Sequence, residues 1–318
     1  MLLVSTLATS TVALVAQKHS PPEVLWRDPG DSGQLNLLYG AGGKAHAPVP
    51  GATYTFVEED TAGTSPKFDV NDAQGARWKV KLGQEPQSET AATRLLWAAG
   101  YFVDEDYYLP EITVTGLTPL HRGQAFVSAD GTVRGARLER HVNDVKKLGE
   151  WDWSANPFLD TREFNGLRIM MALVNNWDLS SANNAIYEQD GERRYLVKDV
   201  GATFGSTGNN FTRSKGVLKD YADSKFIDTA NAESVDFVMH SRSFFMGVLA
   251  VNNYRDRARM EQFTRHIPRA DALWLGQRLA QLSDDQLRDA FRAGGYTPAE
   301  VDGYVKAVQK RIAELLAL

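Results

Sequence analysis

The sequence predicts an α+β fold in two lobes, with a β-rich N-lobe over 52–141 and a mostly helical C-lobe over 142–318. Three observations predict it. Short β-branched and aromatic runs separated by turn residues fill the first stretch. Segments with helix start signals and apolar stripes fill the last. At 318 residues the chain is long enough for about two lobes or domains.

Residues 1–17 carry no charge and are rich in Leu, Val, Ala, Ser and Thr. They resemble the apolar region of a signal peptide, with small residues near Ala16 but without the usual basic start. Export to the periplasm or beyond is the expectation; a disordered tail on a cytoplasmic protein is the alternative. The run is too short and hydroxyl-rich for a membrane span, and no other segment reads as one. Residues 18–51 are rich in Gly, Pro and Asp and predict an irregular lead-in.

Residues 53–57, 67–70 and 77–81 read as strands, with turns at 61–65 and 71–75. Residues 88–100 read as a helix: Ser88 as N-cap, Glu89 suited to the positive end of the dipole, and Gly100 as the stop. Ala92, Leu95, Leu96 and Ala99 share its apolar face. Residues 111–115 predict a strand, and 124–128 with 132–140 a hairpin turned at Ala129-Asp130-Gly131. Residues 146–158 read as an inserted loop whose Trp151 and Trp153 pack onto the core. A helix is expected from Asp160, with Glu163 completing a capping-box-like pair and Phe164, Leu167, Met170, Met171 and Val174 as its stripe. From Glu233 onward the chain reads as helices, with starts at Ser283 and at Thr297-Pro298.

Within the C-lobe lies the stretch that carries chemistry. Asp178 is followed five positions later by Asn183; then come two strands and Asp199-Val200-Gly201. Asp190-Gly191 favours a two-residue hairpin turn. That turn would set Asn183 opposite Lys198 and so beside Asp199, because opposed residues lie roughly 4.5–5.5 Å apart. An amide oxygen and a carboxylate there suit Mg²⁺, which takes hard oxygen ligands; ordinary turns flanking a hairpin are the alternative. Upstream, Lys79 and Lys81 point to one side of their strand, and either can pair with Glu89 early in the next helix. Such a pair holds an ammonium over nucleotide phosphates; a solvated basic edge strand is the alternative.

Lys81-Leu82-Gly83 followed by Glu89 is similar to the strand lysine and helix acid of phosphatidylinositol 3- and 4-kinases. Asp178 with Asn183 resembles the catalytic loop of those enzymes, of HipA-type bacterial kinases and of protein kinases. Asp199-Val200-Gly201 resembles their metal-binding Asp-Phe-Gly. The resemblance spans about 52–219 and implies an atypical kinase-like fold binding ATP and Mg²⁺. It implies that Lys81 contacts phosphate, Glu89 orients it, Asp178 positions the acceptor hydroxyl, and Asn183 and Asp199 bind metal. It also implies a hinge at 138–141, with Glu139 and His141 beside the adenine. Thr61, Gly63 and Thr64 are the best candidates for a phosphate loop. The blocks Trp78-Lys79-Val80-Lys81-Leu82-Gly83 and Asn175-Asn176-Trp177-Asp178-Leu179 also resemble those of an uncharacterised bacterial kinase-like family.

The chain departs from the kinase pattern at three places. Trp177 and Leu179 flank Asp178 where a histidine or arginine is usual, Val200 replaces phenylalanine, and the phosphate loop holds one glycine. A catalytically inactive kinase-like binding module and nucleotidyl transfer on the same fold therefore stand beside phosphoryl transfer. The polar 205–221 stretch matches an activation segment by position. Its Arg213, Lys215 and Lys219 read either as holders of an anionic acceptor or as lone surface cations. The acceptor itself is open: lipid, sugar, protein or small molecule. The net charge of −5 and pI near 5.7 argue against nucleic acid as the main partner, despite local basic patches at Arg193-Arg194 and 255–259. Cysteine is absent, which excludes disulfides and thiolate metal sites. The six histidines show no ligand spacing, and no Gly-x-Ser-x-Gly elbow of a hydrolase is present.

Overall fold

A computed structural model describes residues 20–142, 145–207, 213–239 and 262–318. The signal-like 1–17 stretch apart, the basic 255–259 patch and residues 208–212 of the activation-like stretch also lie outside the described residues. The chain begins with a two-residue strand, β1 (Glu23–Val24). Five strands follow: β2 (Thr53–Asp60), β3 (Lys67–Asn71), β4 (Arg77–Lys81), β5 (Asp106–Thr115) and β6 (Thr132–Arg140). They close into a barrel in the order β2-β3-β4-β6-β5. Helix α1 (Pro86–Ala98) lies between β4 and β5 in sequence.

Alternation builds the barrel. Phe68, Val70, Trp78, Val80 and Leu138 point inward and form one core with Tyr54, Ile112 and Val114. The intervening Asp69, Lys79 and Lys81 are left on the outside of the wall, where Lys81 meets the second lobe. The apolar face of α1 does not join that core. Ala91, Ala92, Leu95 and Leu96 belong instead to the larger core of the helical lobe. The helix that carries Glu89 is thus built into the C-lobe, while the strand that carries Lys81 is built into the barrel.

The second lobe holds β7 (Lys146–Gly149), α2 (Arg162–Leu173), β8 (Asn184–Gln189) and β9 (Glu192–Val197). Its sheet runs β1-β9-β8-β7. Next come α3 (Leu218–Asp223), β10 (Ile227–Ala230), β11 (Ser234–Phe237) and β12 (Ile267–Pro268). Three helices close the chain: α4 (Arg269–Leu279), α5 (Asp284–Ala293) and α6 (Pro298–Leu316). Ser283 and Thr297 both make full capping boxes, with Pro298 at the start of α6. Phe204, Tyr221, Phe291 and Tyr304 form one aromatic cluster, in which Phe291 and Tyr304 stack at 5.0 Å. The architecture is the expected one, a β-rich first lobe and a mostly helical second. Among the described residues no helix is long and apolar enough to cross a membrane.

Several local expectations differ from the structure. Helix α1 starts one turn early, with Pro86 at its first position, so Ser88 lies inside it and is buried. Helix α2 is capped by Thr161, whose hydroxyl accepts from Phe164 N; Asp160 adopts a left-handed φ of 65°. Glu23–Val24, expected as irregular, adds a parallel strand beside β9. Residues 146–149, expected in a loop, pair with β8, though Trp151 and Trp153 do pack in the core. The hairpin turned at 129–131 is present only at its tip, where Ser128 N donates to Thr132 O at 2.8 Å and Val127 bridges Val133; 124–126 forms a 3₁₀ turn, and β6 takes β5 and β4 as its main partners. Ser234–Phe237, expected as helix, is a strand held between β10 and β12.

Candidate active site

Lys81 ends β4, and its ammonium is where the two lobes meet. It lies 2.9 Å from Glu89 of α1 and 3.1 Å from Asp199. A third acid, Glu85, stands 2.6 Å away. Lys79, two residues back on the same wall, pairs with Asp60 at 2.7 Å and Asp69 at 3.4 Å instead. The choice left open between the two lysines therefore falls on Lys81 as the one beside Glu89.

The hairpin delivers Asn183 and Asp199 together. Asp190 and Gly191 both take positive φ, 53° and 76°, as the tight turn requires. Asn184 then pairs with Val197, and the Asn183 carbonyl accepts from Lys198 N at 2.8 Å and from Asp199 N at 3.3 Å. The Asn183 side-chain amide donates to the Asp178 carbonyl at 3.0 Å, which leaves its own oxygen as a donor atom for a cation. Asp178 is half-buried, and its amide donates to the Asn176 side chain at 3.1 Å.

What aims this loop is a residue far along the chain. Arg311 of α6 is buried and donates to the Leu173 carbonyl at the end of α2 and to the Asn175 side chain, both at 2.8 Å. It satisfies carbonyls that the helix end leaves orphaned. Phe204 N donates to Val174 O at 2.8 Å and Trp177 N to Ala202 O at 3.3 Å. The stretch before Asp178 is thereby pinned to the stretch after Asp199.

Burial works against the charge on Lys81, but Glu89, Asp199 and Glu85 outweigh it and hold the ammonium protonated. Burial pushes Glu89 up to about 7, against the pull of Arg137 and Lys81. Arg137 lies 3.5 Å from Glu89 and 2.9 Å from the fully buried Asp106. Glu85 goes the other way: against its burial, Lys81 and Lys215 lower it to about 2. Asp178 is raised by burial and by the charges of Asp199 and Glu85, while Asn183 and Lys215 oppose the rise. Oxygens of Glu85, Glu89 and Asp199 all lie within 4.8 Å of one another. The Lys81 ammonium already lies among these oxygens; the half-exposed Asp199 carboxylate and the Asn183 amide oxygen are the hard donors Mg²⁺ prefers, so these two residues fit the expected metal.

The remaining predicted residues are spread around this centre. Thr61, Gly63 and Thr64 are exposed in the β2–β3 loop, where the Arg122 guanidinium binds the Thr61 and Gly63 carbonyls. Ser65 is the member of that loop that reaches the site, donating to Glu85 at 2.9 Å. Glu139 bonds Lys198 at 3.0 Å and Arg137 at 3.2 Å. His141 lies 3.7 Å from Asp69. The amides of Arg140 and His141 donate to the Glu105 and Arg77 carbonyls, so neither is free for an adenine edge. A cavity of 670 Å³ is lined by Lys79, Asp104, Glu139, His141, Tyr187 and Lys198, among others. Lys81, Asp178 and Asp199 do not line it, though Lys198, next to Asp199 in sequence, does.

Sequence reasoning missed Glu85, Arg137 and Arg311. Only Glu85 had a signal: it stands four residues from both Lys81 and Glu89.

No protein-family model matches the chain. A search of curated proteins finds no match. Among solved structures, the chain is similar to the Helicobacter pylori proinflammatory kinase CtkA, at 9% identity over 84% of this chain and 97% of that one, with a TM-score of 0.48. It is also similar to the Golgi casein kinase with Mn/ADP bound, at 9% identity over 85% and 72%, TM-score 0.45. A second structure of the Golgi casein kinase gives 8% identity over 85% and 73%, TM-score 0.43.

Proposed function

We propose that the chain is an atypical kinase that transfers the terminal phosphoryl group of ATP, with Mg²⁺, to a hydroxyl acceptor. One observation carries the reading: Lys81 of β4 meets Glu89 of α1 and Asp199 after β9 at hydrogen-bonding distance. A cation braced by an acid, facing a hard-oxygen cage, is the arrangement phosphoryl transfer uses. The metal would supply charge neutralisation of the phosphates, held by Asp199 and Asn183 with Glu89 in reach. Lys81 binds phosphate, and Glu89 with Arg137 behind it fixes where Lys81 points. Asp178 orients the acceptor hydroxyl and takes up its proton; its raised pKa favours that role. Rate comes from positioning and charge, not from a covalent intermediate. The 670 Å³ cavity, lined by the hinge residues Glu139 and His141 and by Lys198, supports a place for the nucleoside end.

The experiment is incubation with γ-labelled ATP and Mg²⁺, followed by a search for label on the chain and on lipid, sugar, protein and small-molecule acceptors. Transferred label lost in Asp178→Asn is expected; label appearing equally in that variant sinks the reading. A second reading is an inactive nucleotide-binding module, favoured by the three acids already surrounding Lys81. It predicts binding without turnover. Nucleotidyl transfer would show as label from the α- but not the γ-position, with a nucleotide mass on the product.

A further inference from the structure

Lys215 lies within the activation-like 205–221 stretch, where the sequence reads it either as a holder of an anionic acceptor or as a lone surface cation. Its surroundings are not those of a free surface charge. Its ammonium ion-pairs with Glu85 Oε1, while Lys81 lies 2.6 Å from Glu85 Oε2. Two cations from different lobes therefore converge on the two oxygens of one carboxylate. Ser65 Oγ of the β2–β3 loop donates to the same carboxylate at 2.9 Å. Gly201, two residues past Asp199, supplies the floor: a Cβ there would come within 2.7 Å of the Glu85 side chain. The result is a seat for one anionic group, walled by a loop hydroxyl, a strand lysine, a second lysine and the glycine beside the metal-binding acid.

The backbone on either side of Lys215 is fixed. Ser214 N donates to Ser206 O at 3.1 Å and Gly216 N to Thr203 O at 2.9 Å. Trp177 Nε1 donates to Ser214 O at 3.3 Å, and the Lys215 ammonium lies 5.1 Å from the Trp177 ring centroid. Lys215 is thus tied directly to the residue preceding Asp178. The loop from Asp178 to Asn183 contains no Lys or Arg of its own. A terminal phosphoryl group between Lys81 and Asp178 needs a cation on the acceptor side, where charge is exchanged, and Lys215 is held there.

We propose that Lys215 binds the terminal phosphoryl group of the nucleotide, gripping it jointly with Lys81 in the seat that the Glu85 carboxylate fills. This rests on the phosphotransferase reading above. Glu85 is then the resident counter-anion, which swings aside when phosphate arrives. The contact is to the last phosphate only, so it separates ATP from ADP.

The test is nucleotide binding by the full chain, measured by calorimetric titration with Mg²⁺-ATP and with Mg²⁺-ADP. Unmodified protein, Lys215→Met and Lys215→Arg are compared, with circular dichroism to check folding. The unmodified chain should bind ATP about tenfold or more tightly than ADP, as expected for losing one charge-assisted contact. Lys215→Met should bring ATP down to the ADP level without moving ADP, and Lys215→Arg should restore most of the difference. An ATP/ADP ratio unchanged in Lys215→Met overturns the assignment of Lys215 while leaving the phosphotransferase reading standing. A chain that binds neither nucleotide overturns both.

Discussion

Replacing Lys81 by Met removes the ammonium shared by Glu85, Glu89 and Asp199. The Lys81 side chain is 6% exposed and that of Glu89 2%, so water cannot take over the lost contact. Deleting one partner of a buried ion pair costs about 3–5 kcal/mol, because the other charge stays behind uncompensated. Two features place this site at the lower end. Arg137 still stands 3.5 Å from Glu89, and Lys215 still holds Glu85. The expected cost is about 3 kcal/mol. Glu89→Gln leaves Lys81 with two acids and should cost about 1 kcal/mol, near the value of one hydrogen bond. The double variant removes both the cation and the acid it strands, so it should lose about 2 kcal/mol, not the sum. That is a coupling of about 2 kcal/mol, within the range for residues in contact. Urea unfolding followed by circular dichroism, compared at unchanged m, gives all three values. The reasoning fails if Lys81→Met costs under about 1 kcal/mol, as an exposed pair would, or if the two effects add.

Asp178→Asn should lower turnover of ATP by about 10²–10⁴-fold, the usual worth of a positioned base, with binding little changed; equal turnover would remove its role. Asp199→Asn should abolish both Mg²⁺ dependence and turnover, and normal activity in that variant would discard the metal assignment. Glu85 titrates at about 2 in the folded chain against 4.5 ordinarily. A lowered carboxylate contributes stability above pH 4.5 and loses it as pH falls toward 2, a loss of about 3 kcal/mol. Acid denaturation curves should show that loss flattened in Glu85→Gln. Gly205→Ala would bring a Cβ to 2.3 Å from the Ser214 carbonyl, so it should cost about 1–3 kcal/mol and weaken ATP binding by shifting Lys215; a neutral outcome in both assays would show that the segment is not held as described.

What the sequence made legible was local. Asp190-Gly191 specifies a turn of known length, and that alone fixed Asn183 opposite Lys198 and beside Asp199. The strand-and-helix spacing from Lys81 to Glu89 was equally short-range. What stayed hidden depends on contacts between distant segments. Arg311 reaches Asn175 across 136 residues, and nothing near either residue announces it. Ser234–Phe237 is a strand because β10 and Ile267 flank it; its polar–apolar alternation spans only four residues, too few to announce a strand without those partners. Glu85 is hidden as long as Ser88 reads as the helix N-cap. The true start of the helix follows from Pro86, which favours the first helical position. The hinge pairing is equally non-local. The amides of Arg140 and His141 are spent on the Glu105 and Arg77 carbonyls, a pairing set by barrel closure, not by local sequence.

The central claim is that Lys81, Glu89 and Asp199 form one site for a metal-bound nucleotide. Calorimetric titration of the chain with ATP, in Mg²⁺ and again in EDTA, addresses it most directly. One binding site that requires the metal and disappears in both Lys81→Met and Asp199→Asn is the predicted result. Silence at millimolar ATP, or binding that is indifferent to EDTA and to both substitutions, would contradict it.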